Sequence, residues 1–440
     1  ALSSYVKKYY QNSSSDLFSV FMEVCKHLTT NKGYMSMITQ HSWMFLSSFE
    51  KLRYKLLNID IINMAHLGAR AFEEIGGEVV QTTAFVLRNV KIYSYKAKYI
   101  RLIDLKSQSE KEKSFLMGKN IYITNELNFI CIPGKPIAYW ISEKVIEAYE
   151  KGTPLGNLAS PRKGNSTSNN NRFLRLWYEV DYNKENFKCN EIIKEDTIEK
   201  RWFPYNKGGG FRKWYGNNEY MIDWKNDAEE IRNVKTAVIA NYQYFMKPGL
   251  TWSTVSSVNF SIRKFGNGFI FDNGGCCIFD LGNKTEYILG LLNSNIFKYI
   301  FGQLNPTLNF QSGEVAKFPV VYNENFTNKI REYVNQNVTI SHYDWDNFET
   351  SWEFKEHPFL NKNFNPMYLD LVTGLPNKTI ESAFVVWKLF SGQQFIKLKS
   401  NEEELNKIFI EIYGLQDELY PEVEDNDVTI RKADRERDIK

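Results

Sequence analysis

The stretch HLGARAFEEIGGEVVQTTAFVLRN, His66 to Asn89, decides how the N-terminal part of the chain is read. It begins as the end of a strand and breaks at a Gly-Gly turn. It resumes over Val79–Leu87, where β-branched and aromatic residues predict a second strand. Between them, Phe72 sits in a polar loop beside Glu73 and Glu74. Upstream, DLFSVFMEVCKHL (16–28) predicts a helix capped by Ser15 or Asp16, with Leu17, Val20, Phe21, Val24 and Leu28 on one face. YMSMITQHSW reads as a buried strand, SSFEKLRYKLLN as a helix and IDIINMAHLG as a strand. The first 90 residues thus run α-β-α-β-loop-β, the second half of an open α/β sheet whose first half is absent.

Length and composition bound the rest. The 440 residues are 43% hydrophobic and 15% aromatic, ample for several cores, with a net charge of only +3. The charge is unevenly placed. Residues 151–270 hold 19 Lys+Arg against 12 Asp+Glu, and residues 401–440 hold 6 against 13. A basic middle segment suits a polyanionic partner, and a mixed solvated surface is the plainer alternative. Five cysteines without a C-x-x-C pair argue against a disulfide framework and a zinc site, and five scattered histidines include no H-E-x-x-H, so no metal is expected. No apolar run is long enough for a membrane span and no signal peptide leads the chain, so a cytoplasmic protein without membrane contact is expected. The opening ALSSYVKKYYQNSSSDLF reads as the middle of a loop, and ADRERDIK ends on charge, as in a piece of a larger protein.

Further along, KAKYIRLIDL predicts a strand, SEKEKSFLMG a short helix and SEKVIEAYEKG a helix closed by Gly152. SPRKGNSTSNNNRF predicts a loop, and short strands broken by Gly and Asn run to about residue 322. One helix interrupts them, EYILGLLNSNIFKYIFGQL, ended near Asn305-Pro306. LNFQSGEVAKFPV predicts a turn and a short strand, with Asn309 and Gln311 tying backbone groups. Beyond Pro319 the chain reads as linker, with a late helix NEEELNKIFIEIYGL and an extended acidic tail.

The order of these elements, with DLFSVFMEVCKHLTTNKGYMSMITQHSWMFLSSFEKLRYKLL and HLGARAFEEIGGEVVQTTAFVLRN, resembles the second half of adenine-N6 DNA methyltransferases. With RWFPYNKGGGFRKWYGNNEY and LNPTLNFQSGEVAKFP, it is most similar to the large adenine-specific enzymes of BREX phage-defence systems. The family's F-x-G-x-G and N-P-P-[YF] motifs do not occur here. The resemblance implies an α/β fold in four parts. Residues 1–95 would be the second half of a Rossmann-like methyltransferase sheet and 96–150 a connector. Residues 151–322 would be a mixed α+β target-recognition domain and 323–440 a helical spacer. It implies S-adenosylmethionine as cofactor of the full-length enzyme, double-stranded DNA and other BREX proteins as partners, and an inactive chain in isolation.

By the same resemblance, Phe72 stacks on a base flipped out of the duplex, and Leu17 and Phe21 line the cofactor's adenine. For Phe72 and for the helix face, packing is the plain alternative. DNA contacts are expected from Arg162, Lys163, Asn170 and Arg172, flanked by Asn169 and Asn171, because Arg and Lys pair with guanine and Asn with adenine in the major groove. Ser166 and Thr167 suit phosphates. In YNKGGGFRKWYG, Lys207, Arg212 and Lys213 stand among aromatics beside three glycines, a phosphate-contact pattern that is also that of a hairpin tip. Arg263 and Lys264 are further candidates. A non-catalytic specificity module, like the S subunit of a restriction system, is the alternative function. It would share the recognition half and lack the HLGARAF…FVLRN stretch.

Overall fold

The computed structural model describes residues 2–72, 80–256, 259–305, 309–360 and 379–438. Glu73, Glu74, the Gly-Gly turn, Val79 and Pro306 lie outside them. The chain divides into two compact units, Ala1–Lys151 with Gln303–Asn305, and Gly152–Gly302 with Pro306–Lys440.

The first unit is built on a five-stranded sheet of β1 (Tyr34–Gln40), β2 (Asp60–Gly68), β3 (Thr82–Arg88), β4 (Lys96–Arg101) and β5 (Ile121–Asn125), in the order β1-β3-β2-β4-β5. β3 runs antiparallel to both neighbours, β2 and β4 are parallel, and β5 is antiparallel to β4. Thus β1, β2 and β4 all point the same way. Residues 96–150 contribute two strands to the same sheet as 1–95.

The helices of this unit are α1 (Leu2–Tyr9), α2 (Leu17–Leu28), α3 (Glu50–Leu56), α4 (Gln108–Leu116) and α5 (Glu143–Lys151). The opening residues are therefore helical rather than looped. One face of the sheet carries a core of Met22, Trp43, Met44, Leu52, Leu56, Ile61, Met64, Phe85, Leu87 and Tyr99. Arg53 is buried beneath it and donates to the carbonyls of Gly134, Trp43 and Leu46 at 2.7–2.9 Å, which satisfies a charge that would otherwise be costly to bury. The opposite face is open. A cleft of about 490 Å³ lies along it, lined by Ile38, Ala65, Val86, Ile100 and Phe115 among others. β1 is an edge strand whose Tyr34 and Ile38 are exposed.

The second unit holds two four-stranded sheets and a two-stranded ribbon. Its strands are β6 (Thr153–Pro154), β7 (Ser160–Arg162), β8 (Leu174–Leu176), β9 (Trp202–Asn206), β10 (Tyr220–Asp223), β11 (Gly249–Ser253), β12 (Ile262–Phe265), β13 (Ile270–Phe271), β14 (Gly275–Phe279) and β15 (Pro319–Val320). The sheets are ordered β13-β9-β10-β8 and β12-β11-β14-β7, with β6 and β15 forming the ribbon. Phe203, Tyr205, Ile222, Trp224, Phe265, Phe271, Cys277 and Phe279 belong to one apolar cluster.

Helices α6 (Thr285–Asn293) and α7 (Asn295–Leu304) replace the single helix expected there, because Ser294 is extended (φ −84°, ψ 164°). The described residues after Pro319 are largely helical rather than linker-like. They form α8, Thr327–Asp346, and the late helix starts early, giving the 34-residue α9, Ile380–Tyr413. Thr379 and Ser382 cap α9 reciprocally, and Gly414 ends it at φ +68°. Buried Asn337 of α8 accepts from Asn401 of α9 at 2.9 Å, a polar contact within a helix pair that apolar periodicity does not flag. Among the described residues, no helix is long and apolar enough to cross a membrane.

Candidate functional site

In open α/β sheets, ligands meet the loops beyond the carboxyl ends of parallel strands. In the first unit, β1 ends at Gln40, β2 at Gly68 and β4 at Arg101. A polar network occupies this end. His41 Nδ1 lies 2.7 Å from His66 Nε2, and His66 Nδ1 lies 3.1 Å from the Tyr139 hydroxyl. Phe45 packs edge-on against His41, and the Arg101 guanidinium lies 5.0 Å from the Trp140 ring centroid. Both imidazoles are held neutral. Burial lowers His41 to about 4, and burial, then His41, Arg101 and Lys111, lowers His66 to about 3. With both neutral, one ring donates and the other accepts, so the chain of three groups is satisfied. Protonating both rings would set the N–H of His41 Nδ1 against that of His66 Nε2.

Below this network, β2 is shaped to release its loop. Its pairing with β3 shifts register between His66 and Gly68, a bulge of the kind that re-aims strand ends. Gly68 has φ +68°, and a Cβ there would meet Ile103 at 2.9 Å. The Lys111 ammonium donates to the carbonyls of Leu67 (2.6 Å) and Leu102 (2.8 Å), pinning the end of β2 to the residue after β4. Four residues on, Phe72 is 43% exposed.

On α2 the buried positions are Ser19, Val20 and Met22, while Leu17 and Phe21 are 46% and 58% exposed. The apolar stripe expected to pack inward is thus split: Val20 turns in, and Leu17 and Phe21 turn out. They offer S-adenosylmethionine an apolar face of the sort that covers an adenine ring, and no charged group for its methionine end.

The basic candidates of the second unit fall into two groups. Arg162 ends β7, half-buried, with its guanidinium 5.5 Å from the Tyr244 ring centroid. Lys163 is exposed. Asn170 accepts from the Thr167 hydroxyl at 2.7 Å and begins a helical turn, Asn170–Phe173, capped by Asn169. Exposed Arg172 pairs with exposed Glu230 at 2.8 Å. SPRKGNSTSNNNRF is therefore a strand end and a capped turn rather than a bare loop.

The other group is held by ion pairs and backbone carbonyls, with Arg212, Lys213 and Arg263 buried and Lys207 and Lys264 half-buried. Arg212 is buried, paired with Asp344 of α8 at 2.8 Å, and donates to the carbonyls of Tyr215 (2.8 Å) and Ser341 (3.2 Å). Buried Lys213 pairs with Glu402 of α9, which also accepts from Trp214 Nε1 at 2.7 Å. Arg263 is fully buried, donates to the Arg212 carbonyl at 3.2 Å, and is lowered to about 10 by burial first and Arg212 second. Lys207 pairs with Asp272 at 2.9 Å and Lys264 with Glu286 at 3.0 Å. The glycines at 208 and 209 (φ +97° and +120°) turn the β9–β10 connection.

The His41–His66–Tyr139 network was not foreseen from sequence. The one available signal was that two histidines follow or end strands that point the same way.

Comparisons with known proteins agree with this picture at the level of family. Residues 2–72 match the Eco57I restriction-modification methylase family. The chain is 44% identical to the adenine-specific methyltransferase PglX of Lacticaseibacillus casei (strain Zhang), over all of this chain and 37% of that protein. It is 37% identical to the adenine-specific methyltransferase BrxX of Escherichia coli O9:H4 (strain HS), over 94% of this chain and 32% of that protein. Among solved structures, it resembles the Type IIL restriction-modification enzyme MmeI in complex with DNA at 12% identity (94% of this chain, 52% of that one, TM-score 0.47). It also resembles a nuclease-deletion mutant of the Type ISP enzyme LlaGI at 10% identity (73% and 36%, TM-score 0.40). Such scores are too low to fix a fold. The chain spans about a third of the length of the curated relatives it matches. By sequence it is similar, along nearly all of its length, to about a third of the adenine-specific methyltransferases PglX and BrxX.

Proposed function

We propose that this chain is the base-stacking and DNA-recognition part of an adenine-N6 DNA methyltransferase of a BREX-type phage-defence system. The observation that carries this reading is Phe72, an exposed aromatic ring released from the carboxyl end of β2 by a bulge and a left-handed glycine. A base inside a duplex hides its N6, so the enzyme extrudes it and holds it against an apolar face. A phenylalanine ring suits that task. The His41–His66–Tyr139 chain and the Lys111 anchor hold the strand end from which the loop departs.

In this reading, the five-stranded sheet is the second half of a Rossmann-like methyltransferase sheet. The outer edge of β1, which pairs with no strand among the described residues, the open apolar face and the outward Leu17 and Phe21 support it, since each is a surface that further protein or cofactor would cover. S-adenosylmethionine, when bound by the longer enzyme, supplies the methyl group, and Leu17 and Phe21 would cover its adenine. Residues 151–322 act as the target-recognition domain, with Arg162, Lys163, Asn170 and Arg172 toward DNA, and 323–440 as a helical spacer. Lys207, Arg212, Lys213, Arg263 and Lys264 build the frame that presents them. Other BREX proteins are the partners.

The test is N6-adenine methylation by the longer enzyme carrying Phe72→Ala and Phe72→Tyr. Loss in the first and retention in the second support base stacking. Normal methylation by Phe72→Ala refutes it.

A further inference from the structure

The last turn of α8 and the segment after it bring three metal-ligating groups together. His342 and Asp346 stand one helical turn apart on α8, the spacing that lets two side chains reach one ion from one face. His342 Nε2 lies 3.0 Å from Asp346 Oδ2 and 3.3 Å from Glu353 Oε2, and the ligand atoms of all three residues lie within 4.8 Å of one another. Zinc bonds of about 2.0–2.2 Å at tetrahedral angles set ligand atoms roughly 3.4 Å apart, close to the two edges that meet at His342, while the Asp346–Glu353 edge, within 4.8 Å, closes on binding.

The surroundings favour a built site over a chance meeting of charges. The Ser351 hydroxyl donates to Asp346 Oδ1 at 2.7 Å, leaving Oδ2 for the ion, and accepts from the Glu353 backbone N–H at 3.1 Å. One serine therefore orients the Asp346 carboxylate, the outer-shell contact typical of a metal ligand, and holds the backbone at Glu353 beside it. The Tyr215 ring packs on His342 with centroids 3.9 Å apart and fixes the imidazole plane.

We propose that His342, Asp346 and Glu353 bind a divalent transition-metal ion, best Zn²⁺, with water completing the shell. An imidazole and two carboxylates suit borderline ions better than Ca²⁺ or Mg²⁺, which take oxygen donors. Bound there, the ion ties the end of α8 to Glu353. The adjacent Trp352 packs on Phe187 and Phe269, so the tie reaches the strand-rich part of the same unit. The assignment does not depend on the methyltransferase reading.

The experiment is isothermal titration of the EDTA-treated, dialysed chain with ZnCl₂, paired with thermal melts and the visible spectrum of the Co²⁺ form. One saturable equivalent is expected. It should weaken at least tenfold in His342→Ala and in Glu353→Gln, and about tenfold in Ser351→Ala. Zn²⁺ should raise the melting temperature of the parent chain and not that of His342→Ala. Glu353 is largely exposed, so Glu353→Gln answers the question even if His342→Ala folds poorly. No saturable binding, or binding that both variants leave unchanged and that therefore sits on the cysteines, would overturn the proposal.

Discussion

Two loops of this chain carry the residue types of function, and the structure treats them oppositely. The loop after β2 holds one aromatic between charged residues and leaves it outside. The loop between β9 and β10 holds glycines, cations and aromatics and buries Arg212 and Lys213. By residue type alone, the β9–β10 loop resembles a DNA contact far more than the loop after β2 does. What reverses the impression is distance along the chain. The partners of Arg212 and Lys213 are Asp344 and Glu402, 132 and 189 residues downstream. A basic motif reads as a binding site only until its carboxylates are found, and here they lie on helices placed by tertiary packing.

The comparison breaks most visibly at the buried pairs. Asp344→Ala leaves Arg212 buried without its carboxylate, and should cost about 3–5 kcal/mol in urea unfolding of the second unit. Replacing Arg212 with Met should leave DNA affinity of the folded chain unchanged. A folded Arg212→Met chain that loses DNA binding would move this residue back to the interface.

Phe72→Ala should do the reverse. Unfolding free energy should stay within about 0.5 kcal/mol of the parent, as for most exposed sites. The longer enzyme should lose about 1–3 kcal/mol of base stacking, read as target-adenine methylation under single-turnover conditions.

Acid separates the two units by another route. His41 and His66 have folded pKa values below their unfolded one, so the unfolded chain takes up protons first as pH falls. Their stabilisation is complete above about pH 6.5 and is lost toward pH 3–4. His66 alone should cost the first unit about 2 kcal/mol by pH 5. His66→Gln should flatten that slope, measured by denaturant titrations at several pH values.

The smallest effects belong to the outward cations. Lys163→Ala and Arg172→Ala should each lower DNA affinity modestly and reduce the salt slope by about one, without altering stability.

Much of the first unit was legible because its signals are local. Short apolar runs in YMSMITQ and IDIINMAHLG and the β-branched residues of VVQTTAFVL place the strands without long-range information. Of the two readings of the α2 face, inward packing and a surface for a ligand, the exposure of Leu17 and Phe21 removes the first for these two residues. The second unit was harder. Its strands run two to five residues, too short for periodicity to fix. Asparagines within α8 and α9 disguise a helix pair as linker, because Asn401 donates to Asn337 where pattern reading expects apolar residues. The histidine network was missed since His41 and His66 are joined by strand order, and their places at strand ends gain meaning only once that order is known.

The most direct measurement is DNA binding by this chain, followed by fluorescence anisotropy on a mixed-sequence duplex across a salt series. The parent chain should bind with an affinity that falls steeply with salt, the Lys163→Ala/Arg172→Ala double variant should lose about two from the slope, and Arg212→Met should match the parent. Absence of binding at low salt by the folded chain, or a slope that the double variant leaves unchanged and Arg212→Met reduces, would contradict the account.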